Sequence, residues 1–519
     1  VSAAEEEFES PDALLRRIYD EDFGFLPTNS SMKPVHVANG MARRLVGTST
    51  DHTPLARVLR QYVKKQKAGY MEERNPNSAI LADYPDRFRD AYGNEPSDEN
   101  LTAFRSLAKD TLGADGAVFE TNQASSFTLS HRRMITGDIS DNGSGDLLAA
   151  LLTAGEGMRP APGAALVREL LGEDADPWTM IGWPMLDLGE ERNATLTGAA
   201  LIRSERVAAL LAVDATGLLT SPTLRELRAR FDQLAEYEDD YGAKLTALRR
   251  MMLFGCFAIH VHMIRRCGDV LPDGEGIRPP ILLDLFDGRK RSLREASAAS
   301  LQGGFRAIAQ LTLYRIREHV REVSTVKGKE KVGEYLDSLP ETPDNDRIRA
   351  EYADHLVGMD PGDALAEAFW KTGYSFVGPK SVKGFPWHAL LALGRRSGYL
   401  LPYDDRGRGG KEHKRYGANA EFAEVLVAST VRPGDPMDFD DFLDRIRESF
   451  GIVVGRRVDF DVIRNNDLRR GALMQRTVSV NENDLRANLL AFKDLLVEIG
   501  FAKSYADGRT VVTTDNGGA

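Results

Sequence analysis

Cysteine is nearly absent, with only Cys256 and Cys267 in 519 residues. They lie 11 residues apart in one helical pattern. At 1.5 Å rise per residue their Cα atoms stand ~16 Å apart, too far to bridge. That excludes a disulfide-stapled scaffold and leads to the expectation of a reducing compartment. Long hydrophobic runs are missing too. The most apolar stretch, 251–264, is shorter than the ~20 residues a bilayer crossing needs, and it contains His260 and His262. It reads as a buried core helix. The first residues, VSAAEEEFESPDALLRR, are acidic and carry no apolar segment of a signal peptide. A cytoplasmic protein without a membrane partner is therefore expected.

Catalytic signatures are also lacking. There is no GxxxxGK[ST] phosphate loop, no strand-led GxGxxG, and no HExxH, GxSxG or CxxC. P-loop ATPases, dinucleotide-dependent oxidoreductases, zincin proteases and nucleophile-elbow hydrolases lose their main support. No cofactor or metal is expected. Positive charge is outnumbered, 67 Lys/Arg against 78 Asp/Glu, for a net charge of −11. A chain of that balance does not coat nucleic acid or anionic lipid indiscriminately, although a local basic site remains compatible with it.

What is present is helical periodicity over a length that calls for several domains. The fold class expected is mainly α with small β elements, multidomain, ending in a winged-helix-like unit. Region 1–160 reads as a mixed helical domain, with helices at 13–20, 53–67 and 101–112 and a turn-rich loop at 136–146. Region 161–335 reads as a helical middle domain. In it Ser221-Pro222 opens a helix, 243–266 forms the apolar one, and PPILLDLFDG reads as a short buried strand. Ser292 and Glu295 suggest a capping box for a helix over 292–323. The polar stretch 324–348 reads as a linker or domain edge. Region 345–519 is the C-terminal domain, with helices at 346–356 and 361–371, a basic tract at 371–416 and the winged-helix-like unit at 417–514. That last unit shows helices at 418–430, 438–450 and 484–500, then two strand-like arms around Asp507-Gly508.

The basic tract carries ten Lys/Arg against three Asp/Glu, with Tyr374, Phe376, Phe385, Trp387, Tyr399, Tyr403 and Tyr416 interleaved. Cations neutralise phosphates and rings stack on bases, so this composition suits flexible or single-stranded nucleic acid. Lys380, Lys383, Arg395, Arg396, Arg406, Arg408, Lys411, Lys414 and Arg415 are the candidate contacts. The exposed face of helix 484–500, read as Arg486, Asn488, Lys493, Asp494 and Glu498, is close to neutral, unlike a helix that reads a major groove.

Other constellations compete with plainer roles. Cys256 and His260 are four apart, a spacing that suits two metal ligands, but their apolar setting favours packing. Asp284 and Asp287 end the apparent strand, where carboxylates of metal-dependent nucleases stand. Asp138, Asp141 and Asp146 share a loop without calcium-loop spacing. His388 and His413 flank the tract without a partner in sequence.

Two segments, RPPILLDLFDGRKRSLREAS (278–297) and KRYGANAEFAEVLVASTVRPGDPMDFDDFLDRIRESFGIVVG (414–455), resemble parts of accessory proteins from bacterial DNA-modification and phage-defence gene clusters. The resemblance implies work in a multi-protein, DNA-directed system and carries over no catalytic residue. Three functions are expected in order: a non-catalytic nucleic-acid-associated subunit of such a system, a metal-dependent nuclease or phosphodiesterase using Asp284 and Asp287, and a protein-interaction scaffold that binds no nucleic acid.

Overall fold

The computed structural model describes residues 11–26, 32–47, 96–103, 106, 135, 141–154, 161–171, 207, 210–215, 217–241, 244–272, 276–327, 330–374, 387–401, 414–468 and 480–515. The helix expected at 53–67 lies outside them, as does most of the one at 101–112.

Proline punctuates the first half. Helices α1 (Pro11–Phe23), α2 (Pro34–Val46), then α3 (Ser144–Thr153), α4 (Pro162–Leu170) and α5 (Pro222–Tyr241) include four that begin on Pro. At that position the ring sets φ for the helix, and the missing N–H would have had no intrahelical acceptor. Helix α6 (Lys244–Val270) is 27 residues long, and its apolar stretch 251–264 is buried on every side. Strand β1 (Ile281–Leu282) and the long α7 (Arg291–Lys327) follow. Next come α8 (Glu330–Ser338), α9 (Pro343–Leu356), α10 (Pro361–Tyr374) and α11 (Trp387–Arg396). The chain continues through β2 (Leu400–Leu401), β3 (Arg415–Tyr416), α12 (Ala420–Ala428), β4 (Met437–Asp438) and α13 (Phe439–Phe450). It ends with β5 (Ile452–Val453), α14 (Arg457–Leu468), α15 (Glu482–Glu498), β6 (Ala502–Ser504) and β7 (Thr510–Val512). The described chain is mainly α with small β elements, as its periodicity implies.

Helix α6 is the axis of the molecule. Phe257 meets Tyr399, Phe422 and Phe450 edge-on at centroid distances of 5.3, 4.9 and 5.4 Å. Phe254 does the same with Phe231 at 4.6 Å and Phe450 at 5.9 Å. These tilted ring pairs add roughly 0.5–1.5 kcal/mol each beyond area burial. By length and composition α6 suffices to cross a membrane, which the shorter run 251–264 does not reveal, but 89% of its most apolar window is buried by the chain's own side chains. One connected core joins Tyr19, Val37, Leu148, Phe254, Phe422, Phe492 and Val512, so all three sequence regions contribute to it.

The polar stretch 324–348 departs from its reading as a linker. Helix α7 runs to Lys327, and α8 and α9 occupy most of the remainder. Val332, Leu336 and Ile348 supply the reason: with Ile316, Val320, Leu365 and Phe369 they bury into a second core. The capping box is also displaced. Helix α7 begins at Arg291, Ser292 donates its hydroxyl hydrogen to Asp484, and Glu295 pairs with Arg291.

The strands tie distant parts together. β1 pairs in parallel with β5, Ile281 opposite Ile452 and Leu282 opposite Val453. β2 and β3 are antiparallel, Leu400 opposite Tyr416. The last sheet has the order β4-β7-β6, with β6 and β7 joined by a turn containing Gly508 at φ +87°.

Candidate nucleic-acid interface

Strands β2 and β3 are the two ends of the cationic connection. Their pairing brings Leu401 opposite Arg415, so residues 402–413, with Arg406, Arg408 and Lys411, link two chains already held side by side. Those three cations lie outside the described residues, as do Lys380, Lys383, Phe376, Phe385, Tyr403 and His413. Helix α11 ends on Arg395, half-buried, and Arg396, exposed. Cations there complement the negative end of the helix dipole.

The base of this hairpin belongs to the core. Tyr399 and Tyr416 are fully buried, so neither can stack on a base. The Tyr399 hydroxyl donates to the Cys256 carbonyl at 3.3 Å, and the Tyr416 hydroxyl is hydrogen-bonded to His260 Nε2 at 2.8 Å. Burial pushes both phenols above their ordinary range. It also drives His260 down to about 3, so the imidazole is neutral. The pair Cys256 and His260 is therefore core: burial raises the thiol to about 12, and among the described residues no cluster of three potential metal ligands occurs.

Two predicted contacts are corrected. Lys414 is 7% exposed and Arg415 is 5% exposed. Arg415 donates through Nε to Asp284 at 2.7 Å and through Nη2 to Asp287 at 3.0 Å. A guanidinium so committed is not offered to a phosphate. Lys371, at the tract's other end, pairs with Glu351 at 3.0 Å.

The same geometry removes Asp284 from metal chemistry. It is 1% exposed, its Oδ1 accepts the Phe286 N–H at 2.9 Å, and its Oδ2 accepts the Gly288 N–H at 2.8 Å together with Arg415. The carboxylate closes the turn after β1, where Asp287 and Gly288 sit at φ +50° and +77°. Gly288 is required twice over, since a Cβ there would also stand 2.9 Å from the Arg415 guanidinium. Asp287 is exposed and serves the same arginine.

Asn488 also departs from its expected place. It is fully buried rather than displayed on the outer face of α15. Its Oδ1 accepts the Leu285 N–H at 2.9 Å, and its Nδ2 donates to the Leu283 and Val454 carbonyls at 2.8 and 2.7 Å. One amide thereby ties α15 to the ends of both β1 and β5. Its spacing is the signal that could have found it: 485, 488 and 492 share one helix face with two buried apolar residues. What α15 does expose is Glu482, Asn483, Arg486, Leu490, Asp494, Val497 and Glu498.

Asp141 is likewise structural. It is buried, accepts the Gly145 N–H at 3.0 Å and faces Arg43 at 3.5 Å, while burial raises its carboxyl to about 6. Asp138 lies outside the described residues, as does the side chain of His388. A different set of cations, Arg230, Arg265, Arg278 and Arg445, converges on a cavity that nothing in the linear sequence signals. No protein-family model, curated protein or solved structure matches the chain.

Proposed function

We propose that the chain is a non-catalytic, nucleic-acid-associated subunit of a bacterial multi-protein system. In this reading residues 417–514 form a winged-helix-like unit, and the 402–413 connection makes the backbone contacts. The observation that carries it is the C-terminal element order. Helix α12, strand β4, helix α13, the later helix α15 and the β6–β7 hairpin follow one another, and the sheet order is β4-β7-β6. That is the sequence of parts of a winged helix, with β5 and α14 inserted before its last helix. The DNA-directed, phage-defence setting rests on the resemblance of 278–297 and 414–455.

Fluorescence anisotropy of the full chain with labelled single- and double-stranded DNA and RNA, over a salt series, tests the reading. Replacing Arg406, Arg408 and Lys411 by Glu should weaken binding on every sequence. Losing three phosphate contacts should flatten the slope of log K against log salt by roughly 2 to 3. Unchanged affinity and slope would remove the connection from the account.

A second reading, a partner-protein dock, is favoured by one observation. Leu490 and Val497, seven apart on α15, are 49% and 42% exposed within a nearly neutral face. A partner that stays bound through nuclease treatment and high salt, and is lost in Leu490→Asp, would support it.

A further inference from the structure

The N-terminus of α5, the last turns of α6 and the C-terminal half of α13 enclose a cavity of about 410 Å³. That lies at the small end of the roughly 300–1,000 Å³ typical of ligand pockets. Its walls carry four arginines and three carboxylates. Two of the carboxylates are already engaged. Glu226 accepts from Arg230 Nε at 2.8 Å and from the Ser449 hydroxyl at 2.5 Å. Asp269 is paired with Arg278 at 3.0 Å. The third, Glu448, is exposed at the rim.

Two guanidiniums are left over. Arg265 donates only to backbone carbonyls, those of Glu448 at 3.3 Å and Ser449 at 3.0 Å. Arg445 forms no ion pair among the described residues. Thr223, 6% exposed, is the first residue of α5 with a backbone N–H, since Pro222 has none and the Leu224 N–H is taken by the Ser221 hydroxyl at 3.3 Å; the dipole there is positive. Burial, then the neighbouring Arg278, pull Arg265 down to about 10 despite Asp269 and Glu226. Arg230 is lowered by burial and, in part, by Arg445. The site holds uncompensated positive charge in a partly dry enclosure.

We propose that this cavity binds the phosphate monoester of a small phosphorylated ligand. Its oxygens would be shared between Arg265, Arg445 and the Thr223 N–H. Guanidinium forks match tetrahedral oxyanions bidentately, and the helix N-terminus adds one N–H donor and the positive end of a dipole. Room beyond one phosphoryl group fits a nucleoside-sized remainder. No residue lining the cavity belongs to the 371–416 tract, so its test uses other residues and another ligand than nucleic-acid binding.

Isothermal titration calorimetry on the full chain, at low and constant ionic strength, would use inorganic phosphate, AMP and adenosine as probes. Saturable binding of phosphate or AMP, but not adenosine, is expected, and AMP binding tighter than phosphate would identify a nucleotide rather than the free ion. Arg445→Glu reverses an exposed, unpaired charge and should leave the melting temperature nearly unchanged while weakening binding at least tenfold. Arg486→Glu, on α15 and not among the residues that line the cavity, should bind as the parent does. Absence of saturable binding by either phosphate compound, or equal affinity in Arg445→Glu, would overturn the proposal.

Discussion

Acidification from pH 7.5 to 5 asks the fold to accept protons at two imidazoles it has sealed away from water. His260 and His262, both on α6, are buried, and burial lowers each to about 3. In the unfolded chain both titrate near 6.5. Below 6.5 the unfolded state therefore binds the additional protons, and stability falls as pH falls. At pH 5 each histidine costs about 2 kcal/mol relative to neutral pH, following RT ln(1 + 10^(6.5−5)). Asp141 works in the opposite direction. Its carboxyl is raised from 3.8 to about 6, so between those values the folded chain holds the extra proton and gains about 1 kcal/mol at pH 5. The three groups together predict a net loss of about 3 kcal/mol, a large share of the roughly 5–15 kcal/mol a folded protein commands. Urea unfolding at pH 7.5, 6.5, 5.5 and 5.0 would measure it. His260→Gln and His262→Gln cannot take up the proton. Whatever each costs at pH 7.5, its stability should fall about 2 kcal/mol less than the parent's by pH 5. Parallel profiles for parent and variants would refute the reasoning, because they would mean that neither ring is held neutral.

Other consequences follow from single contacts. Asn488→Ala strands the Leu285 N–H and the carbonyls of Leu283 and Val454. The loss should be about 2–4 kcal/mol in urea unfolding, with unpaired buried groups at roughly 1–3 kcal/mol each and partial relaxation. Arg415→Ala leaves Asp284 charged, buried and without its cation, and should cost about 3–5 kcal/mol with little dependence on salt. Gly145→Ala puts a Cβ 2.4 Å from the Met41 nitrogen, forcing α2 and α3 apart. A melting-temperature drop equivalent to about 1–3 kcal/mol is expected. Arg509→Ala breaks an exposed pair with Asp438 and should leave the melting temperature nearly unchanged, with any small loss vanishing in high salt.

Structure is legible in the sequence where the chemistry is local. Ser221-Pro222 announces α5, Asp507-Gly508 announces the β6–β7 turn, and the spacing of Phe442, Leu443, Ile446 and Phe450 announces α13. Pairings across the chain were not legible. Nothing in PPILLDLFDG says that its partner strand is 171 residues later, or that the arginine ending a basic tract is the counter-ion of Asp284. Composition misled there: Arg415 counts as a surface cation in a charge window and as a buried partner in space. The stretch 324–348 misled for the complementary reason. Its few apolar residues are sparse in sequence, but Val332 and Leu336 share one face of α8, and Ile348 on α9 enters the same core. The arginines of the cavity come from three helices and a connecting segment, so no window contains more than two of them.

The aromatic packing around α6 sets a schedule for synthesis. Phe254 and Phe257 leave the ribosome long before Phe422 and Phe450, the rings that cover them. Some 150 residues separate the end of α6 from the start of α12. At roughly 5–20 residues per second, the bare flank of the axial helix waits on the order of ten to thirty seconds for its cover. During that interval the nascent chain shows an apolar, aromatic stripe to whatever is nearby. A chain ended before α12 would show it permanently, and a chaperone that reads exposed aromatic surface should meet this protein at that stage of its making.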